Sequence, residues 1–322
     1  MLRRAALGLG VLLSFCAVAI PIASAQQGTG AGGAAAPAAA SDGSGQPSRS
    51  GSALPFLDRV QVELGYTYDD NVTLGRASDE ILWDQFLGLT VSADHAFRIG
   101  DNSRLLVTGL LSGEKFFNYN GLSNLQAGLD LELQYRTSGA FDAITFAAFA
   151  RGWLANYDSH LRDGSHYSAG INASGAVTDR ISLYGELAWN QRRANSEVWD
   201  LTDYSALLNL DYSLGRGTLY LKGQYLRGDV VSDGFATLVN VSLAQVFVLD
   251  DAFPGKQLFA YRSDARTWVS TVGYNLPLGN RTSIDFSWRR VQSTPTATLD
   301  FPVQGSLRYV DNQYTVVLLK LF

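Results

Sequence analysis

Leu125-Gln126-Ala127-Gly128-Leu129-Asp130-Leu131-Glu132-Leu133-Gln134-Tyr135-Arg136 alternates without a break between apolar and polar positions. Successive side chains of a β-strand point to opposite faces. On a strand, Leu125, Ala127, Leu129, Leu131, Leu133 and Tyr135 therefore make one wholly apolar face, and Asp130, Glu132 and Arg136 lie on the other. The same period sets Val60, Val62, Leu64, Tyr66 and Tyr68 against Gln61, Glu63, Gly65 and Thr67. It sets Leu87, Leu89, Val91 and Ala93 against Gly88, Thr90, Ser92 and Asp94, and it recurs in 167–177, 181–189, 204–214 and 283–289.

Alternation alone also fits a soluble β-sandwich, so the connections arbitrate. Short ones read at 100–103, 137–140, 178–180, 215–217 and 277–280. Longer polar ones lie between them, at 69–81, 118–124, 158–166, 193–200, 228–234 and 294–305. Tight turns at one end and long loops at the other describe a transmembrane β-barrel with periplasmic turns and extracellular loops. Aromatics give a second test. Tyr66, Tyr68, Trp83, Trp153, Tyr157, Tyr167, Trp189, Tyr204, Tyr225 and Trp268 fall near the long-loop ends, and Phe97, Tyr135, Tyr212 and Tyr274 near the short turns. Amphipathic rings favour the headgroup level, so two girdles are expected.

Composition agrees. Of 322 residues 46% are hydrophobic, but only 17% are charged, against about 25% in an average soluble protein. Lysine occurs only at Lys115, Lys222, Lys256 and Lys320, and the net charge of −5 disfavours a nucleic-acid partner. Mean hydropathy is +0.00, and past the first 25 residues no uncharged apolar run approaches the roughly 18 residues of a spanning helix.

Residues 1–25 read as a cleaved secretory signal peptide: a basic start at Arg3 and Arg4, an apolar core, and Ala23-Ser24-Ala25 before Gln26. The sole cysteine, Cys16, lies in that core, so disulfides, thiolate metal sites and cysteine nucleophiles are excluded from the exported chain. Residues 26–54 are Gly/Ala/Ser/Pro-rich and cannot offset their ordering entropy by burial, which reads as a flexible periplasmic linker, with a partner-binding arm as the alternative. Residues 55–322 form the barrel. An open edge in lipid would strand backbone groups, so the sheet must close. A periplasmic linker and a periplasmic C-terminus require an even strand number. The expectation is an all-β, antiparallel barrel of about fourteen strands, each of ~9–11 membrane residues. Twelve is possible, because 250–266 reads either as a short strand near 258–262 or as one long strand with an irregular loop.

The chain ends at Phe322, whose face also carries Tyr314, Val316 and Leu318. A final strand with a terminal aromatic resembles the signal by which outer-membrane proteins engage the barrel-assembly machinery, although Lys320 stands where that signal has an apolar residue. Its stem can snorkel. The run Gly65-Tyr66-Thr67-Tyr68-Asp69-Asp70-Asn71-Val72, with 260–262, 272–275 and 285–290, resembles outer-membrane barrels of the "porin 2" type over about 57–322. It is more distantly similar to the barrel of surface-lipoprotein assembly modifiers, whose helical-repeat domain has no counterpart here. The resemblance implies a location in the bacterial (Gram-negative) outer membrane and a barrel fold, and leaves activity open.

No reactive constellation marks an enzyme, and no cofactor motif is present. His95 falls near a periplasmic turn. His160 and His166, with Asp158 and Asp163, share a long loop in which a metal is conceivable, but such loops often carry His and Asp without one. Asp69-Asp70-Asn71 fits an Asx-type turn better than a Ca²⁺ loop. Parity sends Glu63, Asp94, Asp130, Glu132, Arg136, Glu186, Arg192, Asp211, Lys222, Asp285 and Arg289 into the lumen. Charges there either pair into a filled core or line a water-filled pore with a weak acidic bias. The expected function is a porin-like channel for small solutes with weak cation preference. The alternative is a non-conducting barrel that serves as a scaffold or export partner for a polysaccharide, a lipoprotein or a redox complex.

Overall fold

The computed structural model describes residues 58–141, 143–301 and 306–322. The leader at 1–25 and the whole linker at 26–54 therefore lie outside the described residues. Thirteen strands follow in order: β1 Arg59–Asp69, β2 Asp84–Arg98, β3 Ser103–Phe116, β4 Asn124–Arg136, β5 Thr145–Tyr157, β6 Gly164–Ala176, β7 Ile181–Ala194, β8 Leu201–Leu214, β9 Gly217–Gly234, β10 Val246–Leu249, β11 Phe259–Pro277, β12 Thr282–Pro295 and β13 Tyr309–Leu321. Each pairs antiparallel with its sequence neighbours, except that β9 pairs with β11, and β13 pairs with β1 to close the ring. The barrel has twelve strands, and β10 lies outside it, paired only to the first residues of β11.

Fourteen strands is therefore an overcount. β9 and β11 run to 18 and 19 residues, well beyond the ~9–11 that cross a bilayer, and the excess extends past the neighbouring strands on the long-loop side. Residues 228–234, read as a loop, are the tip of β9. Residues 259–262 begin the long β11, and the connecting stretch 235–258 holds only a short helix and β10. At Gly228 the backbone takes a φ of 146°, and a Cβ would meet the Thr202 carbonyl oxygen at 2.3 Å. Only glycine fits where β9 bends against β8.

Turns and loops alternate as the sequence indicates, but their lengths are less segregated. The stretch 137–144 outlasts 158–163 and 195–200, each tightened by a single 3₁₀ turn. The asymmetry rests on 70–83, 235–258 and 296–308.

Outward faces are apolar and exposed. On β4, Leu125, Leu129, Leu131, Leu133 and Tyr135 are open while Glu132 and Gln134 are 4% exposed. Leu64, Leu89, Ile171, Leu187, Leu208, Phe286 and Leu318 continue the belt around the barrel. An apolar surface of this extent is stable in lipid and not in water. Tyr66, Trp83, Tyr167, Trp189, Tyr204 and Trp268 are exposed at its upper rim, and Phe97 and Tyr135 at its lower rim. Trp153 and Tyr157 do not belong to the girdle. They share the inward face of β5 with Arg151, and Tyr157 is 3% exposed. At the terminus the Phe322 amide donates to the Val60 carbonyl at 2.9 Å, and the Lys320 ammonium sits 5.2 Å above the Phe322 ring.

Candidate functional site

Two networks of charged side chains occupy the lumen. On the β4–β7 wall the Arg151 guanidinium donates to Asp130 at 3.0 Å and to Glu186 at 3.2 Å, with its flat face 3.8 Å from the centre of the Phe149 ring. Tyr184 donates to Glu186, and Gln134 donates to Glu132 at 2.5 Å. On the opposite wall Arg289 donates to the Gln313 side-chain oxygen at 3.0 Å. The Gln313 amide in turn donates to Asp69 at 2.9 Å and Asp311 at 3.2 Å. Asp285, wholly buried, accepts from the Tyr220 hydroxyl at 2.9 Å, and the Glu63 carboxylate lies in its field. Lys222 on β9 stands between the two networks, in the fields of Glu186, Arg151 and Arg289.

Of the residues assigned to the lumen, Asp130 and Glu186 are thus joined through Arg151, with Glu132 beside them; Arg289, Asp285 and Glu63 lie on the opposite wall, and Lys222 stands between. Asp94, Arg136, Asp211 and Arg192 stand apart. Asp94 takes Arg59 at 3.0 Å, and Arg136 caps its own turn through the Ala140 carbonyl at 3.0 Å, both toward the short-turn end. Asp211 is held by Asn209 at 2.9 Å and Ser182 at 3.4 Å. Arg192 lies at the long-loop end, donating to the Arg162 carbonyl at 2.8 Å.

Arg151 itself escaped the reading of the sequence. Its strand carries Ala147, Phe149, Trp153, Ala155 and Tyr157 on the inward face, so the apolar/polar contrast is nearly absent there. Asp69 and Asp311 escaped it because they sit at strand ends beside the loops. With Asp70 they bring one oxygen each within 4.8 Å of one another. Asn71 does make the Asx-type turn: its amide donates to Asp69 at 2.9 Å, and its side chain ties Gly75 and Val310.

His160 and His166 do not act together. His160 is exposed and bonded to Asp163 at 3.0 Å, which raises its pKa above the usual histidine value. His166 belongs to β6, not to the loop, and stacks on Trp153 in the lumen with ring centres 5.2 Å apart. His95 faces Asp58 at 3.4 Å near a periplasmic turn.

The mouth at the long-loop end is roofed. From the β1–β2 loop, Leu74 packs on Leu226, Val230, Ala265, Val269, Val291 and Tyr309 of the β9–β13 wall. Val72 packs on Phe86, Phe116 and Leu122 together with Ala252, Phe253 and Leu258 of the β9–β11 segment. The Asp233 amide donates to the Thr73 carbonyl at 2.7 Å, and Asn240, in the short helix Leu238–Leu243, donates to Glu80 at 2.9 Å. Loops rooted on different walls thus meet across the opening.

No protein-family model matches the chain, and no curated protein matches it in sequence. Among solved structures it is similar to the COG4313 outer membrane channel from Pseudomonas putida F1, at 12% identity over 84% of this chain and 97% of that one, with a TM-score of 0.53. Looser likenesses include the NanC porin (9% identity, 81% and 98% covered, TM-score 0.44) and the KdgM porin (11%, 80% and 98%, 0.39). The fold is that of bacterial outer-membrane β-barrels.

Proposed function

We propose that the chain is an outer-membrane channel of the porin type that passes small solutes with a weak preference for cations. The observation that carries this reading is the lumen wall. It is continuous, polar and charged inside an apolar belt, and its acids outnumber its bases. To the acids assigned from the sequence the structure adds Asp69, Asp84, Glu114, Asp203 and Asp311, and to the bases Arg59, Arg104 and Arg151. One carboxylate oxygen each of Glu63 and Asp130 has no protein partner. Fixed negative charge of this kind raises the local concentration of cations. The leader at 1–25, export across the inner membrane, delivery to the assembly machinery through the strand ending at Phe322, and membership among "porin 2" barrels complete the proposal.

The test is conductance of the refolded mature chain in planar bilayers under a salt gradient. The reversal potential is expected on the cation side, shifting toward anions in Asp130→Asn with Glu132→Gln. The shift is modest, because opposite charges are interspersed and physiological salt screens beyond about 8 Å. A second reading, a silent scaffold or export partner, draws on the roofed mouth and the paired Arg151. It predicts no conductance in any variant and a partner that co-purifies.

A further inference from the structure

The roof is pinned at one point by a charge pair that the channel reading does not use. Asp250 and Arg162 form an ion pair with both side chains at 0% exposure. Arg162 comes from the β5–β6 loop and Asp250 from the irregular segment after β10, 88 residues away. The carboxylate of Asp250 is divided between the Arg162 guanidinium and the Ala252 amide at 2.9 Å, and the Asp250 amide donates to the Leu258 carbonyl at 2.9 Å. Residues 250–258 thus close on themselves and present a carboxylate outward from the closed loop. Next to it Asp251 is bonded to Ser159. Gly121 lies so close to Ala252 that a Cβ on it would meet the Ala252 Cα at 2.4 Å.

The receiving side is built for an anion and is only partly used. The Arg162 guanidinium lies 3.9 Å from the centre of the Trp199 ring. Its Nε and Nη1 have no hydrogen-bond partner, and neither does the indole Nε1 of Trp199; all three are buried. Arg192 stands 5.1 Å from the same ring. Buried guanidinium and indole N–H groups call for an acceptor, and a guanidinium fork matches a carboxylate in particular.

We propose that Arg162 and Trp199 form a carboxylate-binding site at the extracellular mouth, which Asp250 occupies from within, so that the 250–258 loop is a displaceable gate latched by its own carboxylate. The proposal rests on the channel reading and deepens it. With Asp250 seated, the roof is closed. With Asp250 withdrawn, Arg162 is left as an uncompensated buried charge. The mouth then opens to hydrate it, or a small carboxylate takes the vacated place.

The experiment compares wild type with Asp250→Ala in bilayers, with and without formate, the smallest carboxylate. Asp250→Ala is expected to raise open probability about tenfold or more, because a buried charge has lost its partner. Formate is expected to return it toward the wild-type value, while chloride at equal ionic strength is not. Equal open probability in wild type and Asp250→Ala overturns the latch and leaves the channel reading standing.

A second readout does not depend on conduction. In a chain refolded from residue 26, which has no cysteine of its own, Ser159→Cys places a thiol under the loop at a site 2% exposed. A membrane-impermeant maleimide is expected to label it slowly in the otherwise native chain, rapidly with Asp250→Ala, and slowly again in formate. Labelling indifferent to Asp250 contradicts the proposal whatever the conductance. Absence of current together with the expected labelling pattern removes the channel reading and keeps the carboxylate site.

Discussion

Arg151 shows how much rests on single side chains in this lumen. Its side chain is 3% exposed and serves two carboxylates of the same wall, so its removal leaves Asp130 buried without its counter-charge and Glu186 with only Lys222 in its field. Arg151→Met is expected to cost about 3–5 kcal/mol, and adding Asp130→Asn and Glu186→Gln should recover most of it. Urea titration of the lipid-embedded barrel measures both. The exposed pair Arg98–Asp101 is a contrast, worth ~0–1 kcal/mol. His160 offers a pH test. Bonding to Asp163 raises its pKa, so whatever it contributes to the loop is fully present below the unfolded histidine value of about 6.5 and is lost as pH rises through the higher folded value. Asp163→Asn should lower the His160 midpoint in an NMR titration, and an unchanged midpoint would refute the pairing. At this scale parity read the clear strands well. It missed Arg151, where alanines and aromatics blur both faces, and the girdle expectation took in Trp153 and Tyr157 because they are aromatics near the long loops, although their strand turns them inward.

Strands were legible because each carries its own instruction. The alternation in β4 fixes which face meets lipid, and a slip by one residue would exchange the two faces. Moving its charges, Leu129→Asp and Leu131→Glu, should therefore impair assembly, whereas Asp130→Asn with Glu132→Gln should not. The heat-modifiable fraction after refolding reports both. The roof was not legible. Val72, Leu74, Phe253 and Leu258 follow no period, and their partners lie on strands and loops far away in the chain. Fourteen overshot, and the alternative of twelve held for the barrel, for a related reason: dividing the chain evenly among strands ignores that β9 and β11 run on past their neighbours to carry the roof. Residues 26–53 have no such role in prospect. Fusing the leader directly to Leu54 should still deliver the barrel to the outer membrane, which fractionation of cells expressing the fusion would show.

For the whole molecule, an apolar belt, a charged interior and a closed ring of strands make one object: a barrel whose outer face suits lipid and whose inner face is polar. The purified chain should be almost entirely β by circular dichroism and soluble only with detergent or lipid. A helical spectrum would refute the fold. Its long-loop mouth is roofed, so any conduction through the proposed channel should come as rare openings. The most direct measurement is the single-channel current of the wild-type and Asp250→Ala chains under a salt gradient. Brief, cation-preferring openings are expected in the wild type, becoming frequent when Asp250 is removed. Silence from both chains would rule out a channel gated at this loop.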